Sequence, residues 1–328
     1  MPSQATARAQ AFVAGHTAQA QALGQALTQL IDQPDAFVDV LREGFTALAD
    51  PAYAAEQERV APGSGPVFGV RSPLLAATAR QVRAELRRST SSSALYLAER
   101  LVAEPEREIV LFSHVPLARA LPDDPERAWQ IMRRLARAAN NWIAVDELAE
   151  LYAKGVLLEQ FRWAELEQLV YSRDTWERRL VGSTVARLPF ELPKSLRPQL
   201  ASTIGLMLIK SLIGDAEVDV QKSLSWALRS WNEVDQRGVE DFLIEEARDA
   251  KRTNDGHRAW VVRDALTWSG TDPRIAADVR QTLEGVRRLP GAPSTSAASS
   301  VAGQFKGLDE LSERAVAIQG DRQRMAGR

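Results

Sequence analysis

The residues with the clearest chemical potential are a tryptophan and an aspartate four positions apart, Trp142 and Asp146, in the segment NNWIAVDELA. The surrounding residues have helical periodicity, and residues four apart share one face of a helix. A carboxylate is costly to bury among apolar groups without a partner. Either Trp142 lies in the core and Asp146 pairs with an arginine of the next repeat, or both residues face a surface at which the carboxylate acts. The spacing alone favours the first interpretation.

Three further helical segments combine tryptophan with basic residues. Their members are Trp176 with Arg178 and Arg179, Lys222 with Trp226 and Arg229, and Arg258 with Trp260 and Arg263. Indole rings offer flat contact area, and guanidinium groups match phosphate oxygens with two parallel hydrogen bonds. If these helices share one face of the protein, that face could follow a sugar-phosphate backbone. Asp146 is then an anomaly, because a carboxylate does not help to bind a polyanion.

The spacing of the tryptophans indicates which elements position them. Trp142 and Trp176 are 34 residues apart, as are Trp226 and Trp260, and the middle interval of 50 residues contains the proline-rich segment LPFELPKSLRPQL. Antiparallel helix pairs that repeat every 30–45 residues or so are typical of α-solenoids, which have a continuous core and a concave face. The sequence therefore predicts an all-α fold without a sheet, an α-solenoid of HEAT-like helical repeats. The alternative is a non-repetitive helical bundle in which the tryptophan spacing is a coincidence.

Composition shifts predict three regions. Residues 1–60 read as an N-terminal helical extension, and residues 61–288 as the repeat domain, which opens on a loop rich in proline and glycine. Residues 289–328 begin with the small-residue segment LPGAPSTSAASS and read as a flexible linker with a last short helix near residues 308–319.

The composition limits the classes of function. The chain has no cysteine, which excludes disulfides and thiolate chemistry, and its three histidines, His16, His114 and His257, lack metal-ligand spacing, so we expect no cofactor. No secretory leader and no membrane-spanning stretch are expected, which favours a cytoplasmic protein. The net charge of −2 is unusual for a nucleic-acid-binding protein, so any basic surface must be a local stripe.

Four stretches in order resemble motifs of one family, the HEAT-like-repeat DNA glycosylases of the AlkD type, which are bacterial DNA alkylation repair enzymes. VFGVRSPLLAATAR resembles the family's aromatic–Gly–Val–x–x–Pro loop and following helix, and NNWIAVDELA resembles its Trp–x–x–x–Asp helix. SRDTWERRLVGS and VQKSLSWALRSW resemble its Trp–x–Arg–Arg and Lys–x–x–x–Trp–Ala–Leu–Arg helices. The resemblance covers roughly residues 66–270.

The resemblance implies a role for individual residues. Trp142 and Trp226 match the indoles that flank the deoxyribose of the damaged nucleotide, Asp146 matches the catalytic carboxylate, and Arg179 matches an arginine that contacts phosphate. Trp176 matches a position that we interpret as structural. We further expect the remaining basic residues of these helices to bind DNA: Arg178, Lys222, Arg229, Arg258 and Arg263.

The resemblance also implies an activity. The expected function is excision of cationic N3- or N7-alkylated purines from double-stranded DNA without base flipping, by a monomeric enzyme with a concave DNA-binding groove. The chain departs from the family where a basic and aromatic strip should precede the proline- and glycine-rich loop, and Tyr53 or Arg59 stands in place of that strip.

Two other functions stay open at this point. One is a DNA-binding relative of the same fold without activity, which would have less reason to keep Asp146 together with both indoles. The other is a protein-binding scaffold, which would not show salt-dependent retention on DNA.

Overall fold

Helices account for all regular structure in the described part of the chain, and the predicted all-α class is confirmed. The structure is a computed structural model that describes residues 4–197, 202–267 and 270–305 and several positions from 307 to 316. No strand occurs among these residues. The helices form two compact units, Met1–Arg162 and Trp163–Arg328. No helix in the described ranges is long and apolar enough to cross a membrane.

Unit 1 consists of two layers of helices. In chain order its helices are α1 Gln4–Thr28, α2 Pro34–Ala47, α3 Pro51–Val60, α4 Ser72–Leu86, α5 Ser91–Val102, α6 Arg107–Phe112, α7 His114–Ala120, α8 Pro125–Ala138 and α9 Trp142–Leu158. Layer A packs α1 on α4, α4 on α7 and α7 on α9, and layer B packs α2 on α5 and α5 on α8. Apart from the short helices α3 and α6, which lie in the connections, successive helices alternate between the layers, so the unit has the helix-pair repeat of an α-solenoid.

Unit 2 repeats the arrangement. Its helices are α10 Arg162–Gln168, α11 Thr175–Arg187, α12 Ser202–Leu212, α13 Val218–Asn232, α14 Gln236–Thr253, α15 Gly256–Ala265, α16 Pro273–Thr282 and α17 Ala297–Gln304, with 3-10 turns at Leu169–Tyr171 and Leu188–Glu191. Layer A contains α11, α13 and α15, and layer B contains α12, α14 and α16, each packed on the next member of its layer. The predicted repeat is therefore confirmed in both units.

The tryptophan spacing has a structural cause. Trp142 lies on α9, Trp176 on α11, Trp226 on α13 and Trp260 on α15, so all four belong to layer A of their units. The longer middle interval contains the 3-10 turn Leu188–Glu191 and the proline-rich segment, whose residues 198–201 lie outside the described residues. The alternative of a bundle with coincidental spacing does not hold.

Side-chain caps fix the starts of three layer A helices, α9, α11 and α15. The Asn141 side chain accepts hydrogen bonds from the first backbone N–H groups of α9, and Asp174 and Asp255 do the same for α11 and α15. Each cap satisfies donors that would otherwise have no partner within the helix. Trp142 and Trp176 are the first and second residues of their helices, so these caps also position the two indoles.

The described C-terminal residues pack on the other helices of unit 2. The Thr295 N–H donates to the Gly214 carbonyl at 2.8 Å, the Thr295 hydroxyl donates to Asp255, and α17 packs on α12. Gly214 is required here, because a Cβ at this position would lie 2.7 Å from the backbone of Thr295. The domain boundaries after residues 60 and 288 stay predictions, and the short helix expected near residues 308–319 lies largely outside the described residues.

Candidate nucleic-acid interface

Trp142 does not lie in the core of unit 1. Its side chain is 37% exposed, and its Nε1–H donates to the Val60 carbonyl at the end of α3, 3.2 Å away. The adjacent Asn140 side chain donates to the Gly63 carbonyl at 2.6 Å, so α3 and the loop that follows it hold the start of α9. Asp146 follows one turn later and is half-buried. The interpretation that places Trp142 in the core is therefore wrong.

The aromatic–Gly–Val loop before α4 has a clear structural basis. Gly69 has a φ of +81°, and a Cβ there would lie 2.6 Å from the Asp50 carbonyl oxygen. The buried Glu108 carboxylate accepts hydrogen bonds from the backbone of three successive loop residues, with the shortest at 2.7 Å from Gly69 N. Glycine is thus required by backbone conformation and by close approach. This loop fixes the start of α4.

A cavity of about 380 Å³ lies beside α9 in unit 1. It is lined by α3, α4, α6, α7 and α9, and its polar side chains include Tyr53, Arg83, His114, Glu147 and Glu150. Burial against this lining lowers the pKa of His114 to about 4, with Lys154 acting in the same direction and Glu150 opposing both. The imidazole is therefore neutral at physiological pH.

The two adjacent arginines of α11 have different surroundings. Arg178 donates to the buried Asp215 carboxylate at 2.7 Å and to the Ser172 carbonyl at 2.9 Å, so it anchors the loop before α13. Arg179 is buried, and its Nη1 donates to the Asp219 backbone oxygen at 2.7 Å and lies 3.6 Å from that residue's carboxylate. Arg178 thus has a structural role within unit 2.

Helix α13 carries two cations, of which one forms an ion pair with a neighbouring helix and the other is accessible. Arg229 donates to the carboxylate of Asp264 on α15 at 2.8 Å, which joins neighbouring layer A helices. Lys222 is well exposed, and its nearest acidic group is Asp219 at 3.8 Å. Trp226 lies between them in sequence and is half-buried. Of the two basic residues, Lys222 is the better placed to meet a ligand.

Both basic residues of α15 are held by protein groups. Arg258 pairs with the buried Glu246 and with Asp255, its own helix cap. Arg263 donates to the carbonyls of Leu283 and Val286, each at 2.6 Å, and burial lowers the pKa of its guanidinium. Five of the six cations expected to bind DNA are therefore held by groups within unit 2: Arg178, Arg179, Arg229, Arg258 and Arg263.

Residues 41–268 match the model of a family described as DNA alkylation repair enzyme. This match spans more than half of the chain. The chain belongs to the DNA alkylation repair enzyme family. The matched region runs from α2 to the end of α15 and so includes every helix that carries a predicted site residue.

Besides the family match, the chain is similar to a solved structure. No curated protein matches the chain. A solved structure described as a predicted DNA alkylation repair enzyme from Enterococcus faecalis is similar over 74% of this chain and 98% of that chain, with 16% sequence identity and a TM-score of 0.45.

Three exposed arginines of unit 1 lie outside the site residues predicted from the sequence. Arg80 and Arg83 lie on α4 and Arg87 directly follows its last residue. All three are exposed at helical spacing, and none has an ion-pair partner among the described residues. Arg83 also lines the cavity. The signal was present in the sequence as ARQVRAELRR, whose arginines recur every three or four residues. For a member of a DNA repair family, this stripe is a candidate phosphate-binding surface.

An acidic cluster on α14 serves the packing of unit 2. Carboxylate oxygens of Glu245, Glu246 and Asp249 lie within 4.8 Å of one another. Lys210 of α12 pairs with Glu245 at 2.7 Å, and Arg258 of α15 pairs with Glu246. Burial, the largest effect, raises the pKa of Glu246. Because cations from two neighbouring helices balance the cluster, it joins three helices and no metal ion is implied.

Proposed function

We propose that the protein is a DNA glycosylase that excises cationic N3- and N7-alkylated purines from double-stranded DNA. The observation that carries this proposal is the placement of Trp142 and Asp146 one turn apart at the start of α9, outside the core. Membership of a DNA alkylation repair family supports a substrate of damaged DNA. The alternatives are a DNA-binding relative without activity and a protein scaffold.

The chemistry follows from the charge of the substrate. An N3- or N7-alkylated purine carries a positive charge and leaves without a proton being added. Its departure leaves an oxocarbenium-like deoxyribose, which a nearby carboxylate stabilises, as in glycoside hydrolysis. In this proposal Asp146 supplies that carboxylate, positions the attacking water and accepts its proton as the bond from C1′ to the water oxygen forms. The faces of Trp142 and Trp226 attract the sugar as its positive charge grows.

Binding in this proposal uses the sugar-phosphate backbone. Lys222 contacts a phosphate, and the arginines Arg80, Arg83 and Arg87 add cationic surface. Arg179, which donates to Asp219, holds α13 beside α11. The base stays stacked in the duplex, and no cofactor takes part. A monomer suffices for this mode of binding.

The test is release of free base from a duplex that contains N7-methylguanine or N3-methyladenine. We expect time-dependent release from the damaged duplex and none from an undamaged duplex of the same sequence. Salt-dependent binding without release would support the inactive DNA-binding relative, and absence of both would support the scaffold.

A further inference from the structure

We propose that Arg187 is a phosphate-binding residue that the indole of Trp226 holds in place, and this rests on the proposed function. Arg187 is the last residue of α11, and its guanidinium carbon lies 5.5 Å from the centre of the Trp226 ring on the neighbouring helix α13. Both side chains are half-buried. The ring therefore acts as a platform that restricts the orientation of the guanidinium group.

The guanidinium of Arg187 lacks protein acceptors. Among the described residues it makes no hydrogen bond and no ion pair, and its Nε is buried without a partner. Arg178 and Arg229, on the same two helices, each donate to a carboxylate at 2.7–2.8 Å. A buried N–H without an acceptor is unfavourable, and in native proteins it calls for an explanation. The two Nη groups of Arg187 are not among the buried atoms, so a bound anion can reach them and supply the acceptor that the guanidinium lacks.

The chemistry of the arginine identifies the class of anion. A guanidinium stacked on an indole presents its remaining N–H groups in a fixed planar fork, which matches the oxygens of a phosphodiester. In the proposed function Trp226 contacts a deoxyribose, and each deoxyribose of a strand is flanked by two phosphates. Arg187 would therefore hold a phosphate next to the sugar that Trp226 contacts.

The competing explanation is that Arg187 only packs against Trp226. Arg288 provides a matched control, because its guanidinium carbon lies 5.8 Å from the ring of Trp260 while its Nη1 donates to Gln221 at 3.0 Å. Both arginines therefore stack on a layer A tryptophan of unit 2, but only Arg288 has a protein acceptor among the described residues. If stacking were the only role of these arginines, replacing either one with alanine would change duplex affinity to the same extent.

The experiment measures duplex affinity of the full chain at several salt concentrations for the wild type and for Arg187→Ala, Arg187→Lys and Arg288→Ala. We expect Arg187→Ala to lower the slope of log affinity against log salt by about 0.9, the value for one phosphate contact. Arg187→Lys should keep the slope and bind more weakly than the wild type, and Arg288→Ala should match the wild type.

Three outcomes would overturn the inference. An unchanged slope for Arg187→Ala in a wild type that binds DNA would leave Arg187 as a packing residue while the proposed function stands. Equal losses for Arg187→Ala and Arg288→Ala would also indicate packing. A wild type without salt-dependent binding would remove the proposed function itself. Melting curves accompany each variant, and if Arg187→Ala does not fold, Arg187→Gln, which keeps a polar side chain without the charge, takes its place.

Discussion

Neighbouring arginines in this chain have different roles although their sequence context is similar. Arg178 is paired with a buried aspartate, whereas Arg187, nine positions later, has only an aromatic contact among the described residues. The sequence could identify basic residues on helices, but it could not show which of them meet a carboxylate on the next helix. For Arg178 and Arg229 those partners, Asp215 and Asp264, lie 37 and 35 residues away in the sequence.

Arg178 and Lys222 should respond to truncation in opposite ways. Arg178→Ala leaves the buried Asp215 without its partner, so we expect a loss of about 3–5 kcal/mol in unfolding free energy. Lys222→Ala removes an exposed cation, so stability should change by less than about 0.5 kcal/mol, while the salt slope of duplex binding falls by about one phosphate contact. Urea unfolding and duplex titration of both variants measure this. A stable Arg178→Ala variant with a reduced salt slope would show that Arg178 binds DNA instead.

His114 should make stability depend on pH. Its pKa is about 4 in the folded protein, below its ordinary value of 6.5, so the unfolded chain binds the proton first as pH falls. The contribution of the neutral imidazole to the free energy of unfolding is fully present above about pH 6.5 and is lost between about pH 6.5 and pH 4. Lys154 and Glu150 face this histidine across the cavity, and Glu150 opposes the shift.

The measurement for His114 is urea unfolding at pH 7 and at pH 4.5. We expect the wild type to lose more stability between these values than His114→Gln, with a difference on the order of 1–3 kcal/mol. Equal losses for the two proteins would show that His114 is not held neutral.

At the scale of elements, the amphipathic helices and the loop from residue 61 could be predicted, because their signals are local: apolar periodicity, proline and glycine. The position of α3 could not be predicted. It is fixed by the hydrogen bond from Trp142 to Val60, which joins residues 82 positions apart. The exposure of Trp142 follows from that contact, and for this reason spacing alone favoured the wrong interpretation.

The packing of α11 on α13 depends on a glycine. A Cβ at Gly182 would lie 2.8 Å from the Ser223 Cβ and 3.0 Å from its carbonyl carbon, so Gly182→Ala forces the two helices apart. We expect a loss of about 1–3 kcal/mol, the usual cost of overpacking.

Gly15 on α1 is the matched control, because a Cβ there would meet nothing within 4 Å. Gly15→Ala should stabilise the protein by about 0.5–1 kcal/mol through helix propensity. Thermal melting of both variants checks the prediction, and a Gly182→Ala variant as stable as the wild type would contradict the close approach of α11 and α13.

At the scale of the whole molecule, the net charge of −2 and membership of a DNA repair family are compatible. Many cations in the described ranges are paired with acids on adjacent helices and contribute to packing, as Arg258 does with Glu246. The cations available to a polyanion are fewer, and they include Lys222 and the arginines of α4. A summed charge cannot separate these two groups, which is why composition alone argued against DNA binding.

In the proposed reaction the negative charge of Asp146 stabilises the sugar cation, and the most direct measurement is base release by Asp146→Asn beside the wild type on one damaged duplex. The substitution keeps the shape of the side chain and removes its charge. We expect release to fall by at least about 10²-fold, as when one preorganised electrostatic group is lost. Duplex affinity should stay the same or rise, since a negative charge facing a polyanion is removed.

The stability of Asp146→Asn distinguishes a catalytic from a structural role of Asp146. Asp146 is half-buried, so we expect Asp146→Asn to melt with a loss of no more than about 1 kcal/mol. A structural carboxylate in a buried ion pair would instead cost about 3–5 kcal/mol when neutralised. A folded Asp146→Asn variant that releases base at the wild-type rate, or one that loses stability, affinity and activity together, would contradict the catalytic role of Asp146.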